Sequence, residues 1–76
     1  MTKRQLKQRV QDAMRAQYGF APTQKEIILL EADSDGSYIL FGLGNVVTTK
    51  HGFRAYEREI RIDRYGIEVN EYKEGE

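Results

Sequence analysis

The stretch "KEIILLEADSDGSYILFGLGNVV", residues 25–47, sets two apolar segments on either side of an acidic cluster that ends in glycine. Its centre, "EADSDGSY" at residues 31–38, reads either as a calcium loop or as a tight turn between strands. A calcium loop begun at Glu31 would place Asp33 and Asp35 at its third and fifth positions and Gly36 at its sixth. Its twelfth position would be Gly42, where the ion needs a bidentate glutamate, and both flanks have the composition of strands. Residues 34–37 are therefore read as a hairpin turn centred on Asp35-Gly36, the dipeptide that favours a two-residue mirror-image turn. That turn places Ala32 opposite Ile39, Leu30 opposite Phe41 and Ile28 opposite Leu43, apolar pairs that share one face. The competing choice is a three-residue loop with a bulge at Gly36, which puts Leu29 opposite Phe41.

Working outward, "FRAYEREIRI" (53–62) and "IEVNEY" (67–72) keep the period of two. A turn at His51-Gly52 brings Val47 to Tyr56, Leu43 to Ile60 and Phe41 to Ile62. Closing the last hairpin through Asp63-Arg64-Tyr65-Gly66 brings Ile62 to Ile67 and Ile60 to Val69, with Arg61 facing Glu68 on the other side. The result is one continuous apolar face across four strands, which a one-residue slip would break. Upstream, Leu6, Val10, Ala13 and Met14 fall on one stripe of a helix predicted over residues 3–18. Thr2 and Gln5 have the form of a capping box, Gly19 suits a left-handed cap, and Pro22 stops the helix from resuming. The predicted fold is α+β: one N-terminal amphipathic helix packed on a four-stranded antiparallel meander, α-β-β-β-β, as a single small domain over residues 1–76.

The element order resembles cystatin-like folds and PepSY-like modules, in which a helix packs on a curved meander. "YEREIRIDRYGIEV", residues 56–69, looks like the closing hairpin of a PepSY unit: a tyrosine, an alternating strand, an Asp turn and a Gly. The resemblance is one of topology and carries over no site residue.

A chain of 76 residues buries only roughly 60% of its unfolded surface and leaves little room for a deep internal pocket. It has no cysteine, which excludes disulfides and thiolate metal sites and fits a cytoplasmic setting. No apolar run approaches the roughly 18 residues of a membrane span, and the basic start lacks the apolar stretch of a signal peptide. Charge balances overall at 12 cations and 12 acids, but residues 1–22 hold five of the cations and only one acid, Asp12.

Little in the chain resembles catalytic chemistry. The one histidine, His51, falls in a turn without a second ligand nearby. "GLGN", residues 42–45, lacks the further glycine and following helix of a dinucleotide loop, so its glycines mark a bend or bulge in a strand. No catalytic, cofactor-binding or metal-binding residue is assigned, and the protein is expected not to be an enzyme. Register does bring Glu26, Asn45, Arg58 and Glu71 together at the rim of the helix-facing side. Arg58 there is either an anion site or one half of a salt ladder with Glu71.

Two surfaces are left to account for. Ile27, Leu29, Tyr38, Leu40 and Val46 are expected on the outer face of the first two strands, whereas the outer face of the last two is polar. Either this apolar patch is an interface, next to a first strand whose edge is open, or residues 18–23 fold over it through Tyr18 and Phe20. On the helix, Lys3, Arg4, Lys7 and Arg9 form a basic surface. Lys3 and Arg4 oppose the helix dipole at a cost of about 0.3–1 kcal/mol each. The expected function is a protein-interaction module that docks a partner or pairs with itself through the outer face and edge of strands one and two. The alternative is a nucleic-acid-binding accessory protein that uses the basic helix with Arg54, Arg58 and Tyr65.

Overall fold

The computed structural model describes all 76 residues. Helix α1 (Lys3–Tyr18) is followed by strands β1 (Ile28–Ala32), β2 (Ile39–Thr48), β3 (Arg54–Asp63) and β4 (Gly66–Glu71). The strands form one antiparallel sheet in the order β1-β2-β3-β4. The predicted α+β meander is therefore the fold of the chain.

The helix begins and ends where its capping residues require. Thr2 accepts from the Gln5 N–H, and the Gln5 side chain accepts from the Thr2 N–H at 2.8 Å, which closes the capping box. At the other end Gly19 takes φ 82° and donates its N–H to the Arg15 carbonyl at 2.9 Å. Leu6, Val10 and Met14 are buried against the sheet, joined by Ile27, Ile39, Phe41 and Ile60 in one apolar cluster. Phe41 is 0% exposed and pairs with Leu29 on one side and Ile60 on the other.

The chain returns from the helix along its own flank. Gln11 Nε2 donates to the Pro22 carbonyl at 2.9 Å, and Lys7 Nζ donates to the Gln24 carbonyl at 3.1 Å. The Gln24 amide in turn reaches Gln11 Oε1 at 3.1 Å. These bonds hold residues 22–24 beside the helix, and Ile27, a few residues on, is 0% exposed in the core.

Register is where the structure departs from expectation. In the first hairpin Asp33 accepts from Gly36 and donates to the Tyr38 carbonyl, both at 3.0 Å, and only glycines have positive φ. Asp35 thus cannot serve in a mirror-image turn, which needs positive φ at both central residues. Ala32 does pair with Ile39, as predicted, but a bulge between Leu29 and Glu31 leaves Leu30 unpaired. Leu29 then faces Phe41, and Ile28 faces Gly42. One extra residue reverses which side chains face the helix. Ile27 and Leu29, expected on the outer face, therefore lie on the helix side: Ile27 is buried and Leu29 packs against the core. Ile28 and Leu30 take the exposed positions, at 39% and 41%.

In the second hairpin Thr49 and Phe53 close a loop of Lys50-His51-Gly52, with Gly52 at φ 86°. This is the three-residue loop that ends in a left-handed glycine, not the two-residue turn expected. It pairs Val47 with Ala55 and Val46 with Tyr56. A bulge at Gly44 and Asn45, opposite Glu57, then shifts the register again, so that Leu43 meets Arg58 and Phe41 meets Ile60. The two shifts together move the pairing by an even step, which keeps Phe41, Leu43, Ile60 and Ile62 on the helix side. Tyr56 lies between the shifts and changes face. The third hairpin has the predicted register, with Ile62 opposite Ile67 and Ile60 opposite Val69. Arg61 and Glu68 form the expected ion pair on the outer face.

Candidate binding surfaces

The outer apolar surface is re-formed from partly different residues. A shallow groove of about 390 Å³ is lined by Leu30, Val46, Ala55 and Tyr56, with Arg54 and Glu59 as its charged members. The Tyr56 ring lies over Gly42: a Cβ placed there would meet Tyr56 Cδ2 and Cγ at 2.6 Å. The glycine leaves room for the ring, an arrangement in which an aromatic side chain covers a mid-strand glycine. Of the residues predicted for this surface, Val46 is 42% exposed and Tyr38 and Leu40 are half-buried. Ile27 and Leu29 belong to the core side, as described above. Leu30 and Tyr56 were missed. "IILL" has no alternation to read, and the signal for Tyr56 was the glycine at position 42 on the neighbouring strand.

Residues 18–23 do not cover this groove. Tyr18 is 42% exposed and Phe20 69% exposed, their rings 6.4 Å apart. Phe20 instead flanks a second depression, on the helix side, at the end of the sheet where the β2 bulge lies. This cleft measures about 640 Å³. Met14, Phe20, Ala21, Pro22, Ile28 and Leu43 are its apolar lining. Lys25, Glu26, Glu57 and Arg58 supply its charges, with Asn45 beside them.

Glu26, Asn45 and Arg58 do line this cleft together, although Arg58 pairs with Leu43 and not with Asn45 as the expected register had it, and Glu71 does not join them. Arg58 and Glu71 are Cα partners across β3 and β4 without forming an ion pair. The salt ladder offered as one account of Arg58 is absent. The acids of the cleft are engaged elsewhere. Glu26 Oε1 accepts from the Thr23 N–H at 2.8 Å and the Thr23 hydroxyl at 2.9 Å. These two bonds, the backbone one first, hold the Glu26 carboxyl below its ordinary value. Glu57 Oε1 accepts from the Asn45 N–H in the bulge at 3.2 Å.

The basic surface of the helix is divided. Lys7 is tied to the Gln24 carbonyl. Arg9 lies against the first hairpin, its Cδ 3.0 Å from where a Gly36 Cβ would stand. There it adds a small favourable field at Asp35. Asp35 is held below its ordinary carboxylate value chiefly by Ser37, through its hydroxyl first and then its backbone N–H. The Ser37 hydroxyl also lies 3.3 Å from Asp33 Oδ2, so it sits between the two carboxylates. Lys3 and Arg4 remain exposed and without an ion pair.

No helix is long and apolar enough to cross a membrane. No family model, no curated protein and no solved structure matches the chain. The likeness to cystatin-like and PepSY-like units therefore rests on the order of elements.

Proposed function

We propose that the chain is a non-enzymatic protein-interaction module that docks a protein partner, or a second copy of itself, through the outer face of β1 and β2. The supporting observation is the groove in which Leu30 and Val46, 41% and 42% exposed, adjoin Tyr56. Exposed apolar side chains that adjoin one another, rather than lie scattered, are the usual mark of a binding face. The bulge at Leu30 breaks the regular edge of β1, which favours docking on the face of the sheet over addition of a strand to its edge. Arg54 and Glu59 supply the polar rim that such interfaces carry.

The test is the double variant Leu30→Glu with Val46→Glu, examined by thermal unfolding and by sedimentation over a wide range of concentration. Both side chains are partly exposed already, so the fold is retained while self-association or partner capture is lost. Wild-type association in a folded double variant would refute the reading. The nucleic-acid alternative has Lys3, Arg4 and Arg9 on the helix and Arg54 and Arg58 on β3, exposed cations outside any ion pair. Retention on nucleic acid that falls steeply with added salt would favour it.

A further inference from the structure

The cleft at the bulged end of the sheet is separate from the outer groove. It lies on the helix side, and the two share no lining residue. Its size is within the roughly 300–1,000 Å³ typical of small-molecule sites. Its charges sum to zero, two cations against two acids, so no net field draws a bare ion into it. Their bonding is unequal, however. Glu26 is bonded twice to Thr23, and Glu57 to the bulge N–H of Asn45. Lys25 and Arg58 take part in no ion pair, and neither donates a side-chain hydrogen bond within the chain. The positive groups are therefore the ones left to meet a ligand.

Their surroundings determine the rest of that ligand. Arg58 is the cross-strand partner of Leu43, so the guanidinium stem rises beside an apolar lining residue. Met14 continues the lining from the helix, and Phe20 stands at the mouth with 69% of its surface in solvent. We propose that this cleft binds a carboxylate carried on an apolar body. The carboxylate meets the Arg58 fork, which suits a planar two-oxygen partner, and Lys25 supports it. The apolar body lies on Met14 and Leu43 and brings Phe20 out of water. A free aliphatic carboxylate and the C-terminal residue of an apolar peptide share this chemistry.

The test is an amide-detected NMR titration of the full chain with octanoate and, separately, with N-acetyl-leucyl-leucine. Octanol, octylamine and acetate serve as controls. Octanoate or the peptide should shift amides in residues 20–28, 43–45 and 57–58, and bind more tightly than all three controls. The tighter of the two names the source of the carboxylate. Arg58→Gln should weaken carboxylate binding by about tenfold, the size of one charge-assisted contact, and leave octanol unchanged. Phe20→Ala should weaken carboxylate and octanol alike. Both substituted side chains are exposed, so the variants fold. Three outcomes would overturn the proposal: no shift with either carboxylate, equal affinity for octanoate and octanol, or unchanged octanoate binding in Arg58→Gln. The Leu30→Glu, Val46→Glu variant should bind octanoate normally, so loss of the docking face and loss of the cleft read out separately.

Discussion

Ile27 and Leu30 are both drawn from the run "IILL", and truncating each to alanine should have very different consequences. Ile27→Ala removes Cγ1, Cγ2 and Cδ1 from a side chain that is 0% exposed. At about 0.8 kcal/mol for each buried carbon, the lost transfer energy is about 2.4 kcal/mol. The cavity under α1 closes only in part, which raises the cost to about 3–4 kcal/mol. A domain of 76 residues has about 4–11 kcal/mol in total, so the variant retains a small part of its stability. Each kcal/mol shifts Tm by about 4–8 °C in a domain this size, which gives a fall of about 12–30 °C. Leu30→Ala removes as many carbons from a side chain that is 41% exposed and borders solvent. It leaves no closed cavity and should cost about 1 kcal/mol. Urea unfolding with unchanged m-values, supported by thermal melts, measures both. Equal losses, or a larger loss for Leu30→Ala, would show that the β1 bulge is misplaced and that the opposite pair of side chains faces the helix.

Gly42→Ala should destabilise by about 1–3 kcal/mol, because the added Cβ meets the Tyr56 ring at 2.6 Å, and the loss should shrink in a Tyr56→Ala background. Acid sensitivity should trace in part to Glu26 and Asp35, whose folded-state carboxyls lie below their ordinary values. A depressed folded value contributes stability that is complete above the unfolded pKa and is lost as pH falls through the folded one. The urea midpoint should therefore decline once pH drops through the ordinary carboxylate range, and Glu26→Gln with Asp35→Asn should flatten that decline. An unchanged acid limb in the double variant would show that the Thr23 and Ser37 hydrogen bonds do not act as described.

Local signals in the sequence were enough for the elements. Thr2, Gln5 and Gly19 bound the helix through bonds made within a few residues, and its apolar stripe needs only helical spacing to be seen. The Asp63–Gly66 turn is equally local, and the register of β3 on β4 followed from it. Phe41, Ile39 and Ile60 could be named as core because an even shift in pairing leaves their face unchanged. The sequence also brought Glu26, Asn45 and Arg58 to one rim. It could not show that Arg58 lacks Glu71 as a partner, since that depends on where two flexible side chains settle.

The face presented by β1 and by Tyr56 is set instead by how distant parts of the chain pack. Ile27, Ile28, Leu29 and Leu30 are all apolar, so either alternate pair can face the helix with similar gain from burial, and the hydrophobic pattern does not choose. The choice falls to the chain path. The Gln11, Lys7 and Gln24 contacts hold residues 22–24 along the helix, and Ile27 enters the core shortly after them, while the first hairpin holds Ala32 inward. The number of residues between those two anchors does not suit unbroken alternation, and the bulge at Leu30 takes up the difference. In the same way, a loop one residue longer at Lys50–Gly52 and a bulge at Gly44-Asn45 add up to a two-residue shift, which restores the expected face beyond the bulge and leaves Tyr56 turned outward between them. Both candidate surfaces exist because of these bulges, and a bulge is set by how distant parts of the chain must meet.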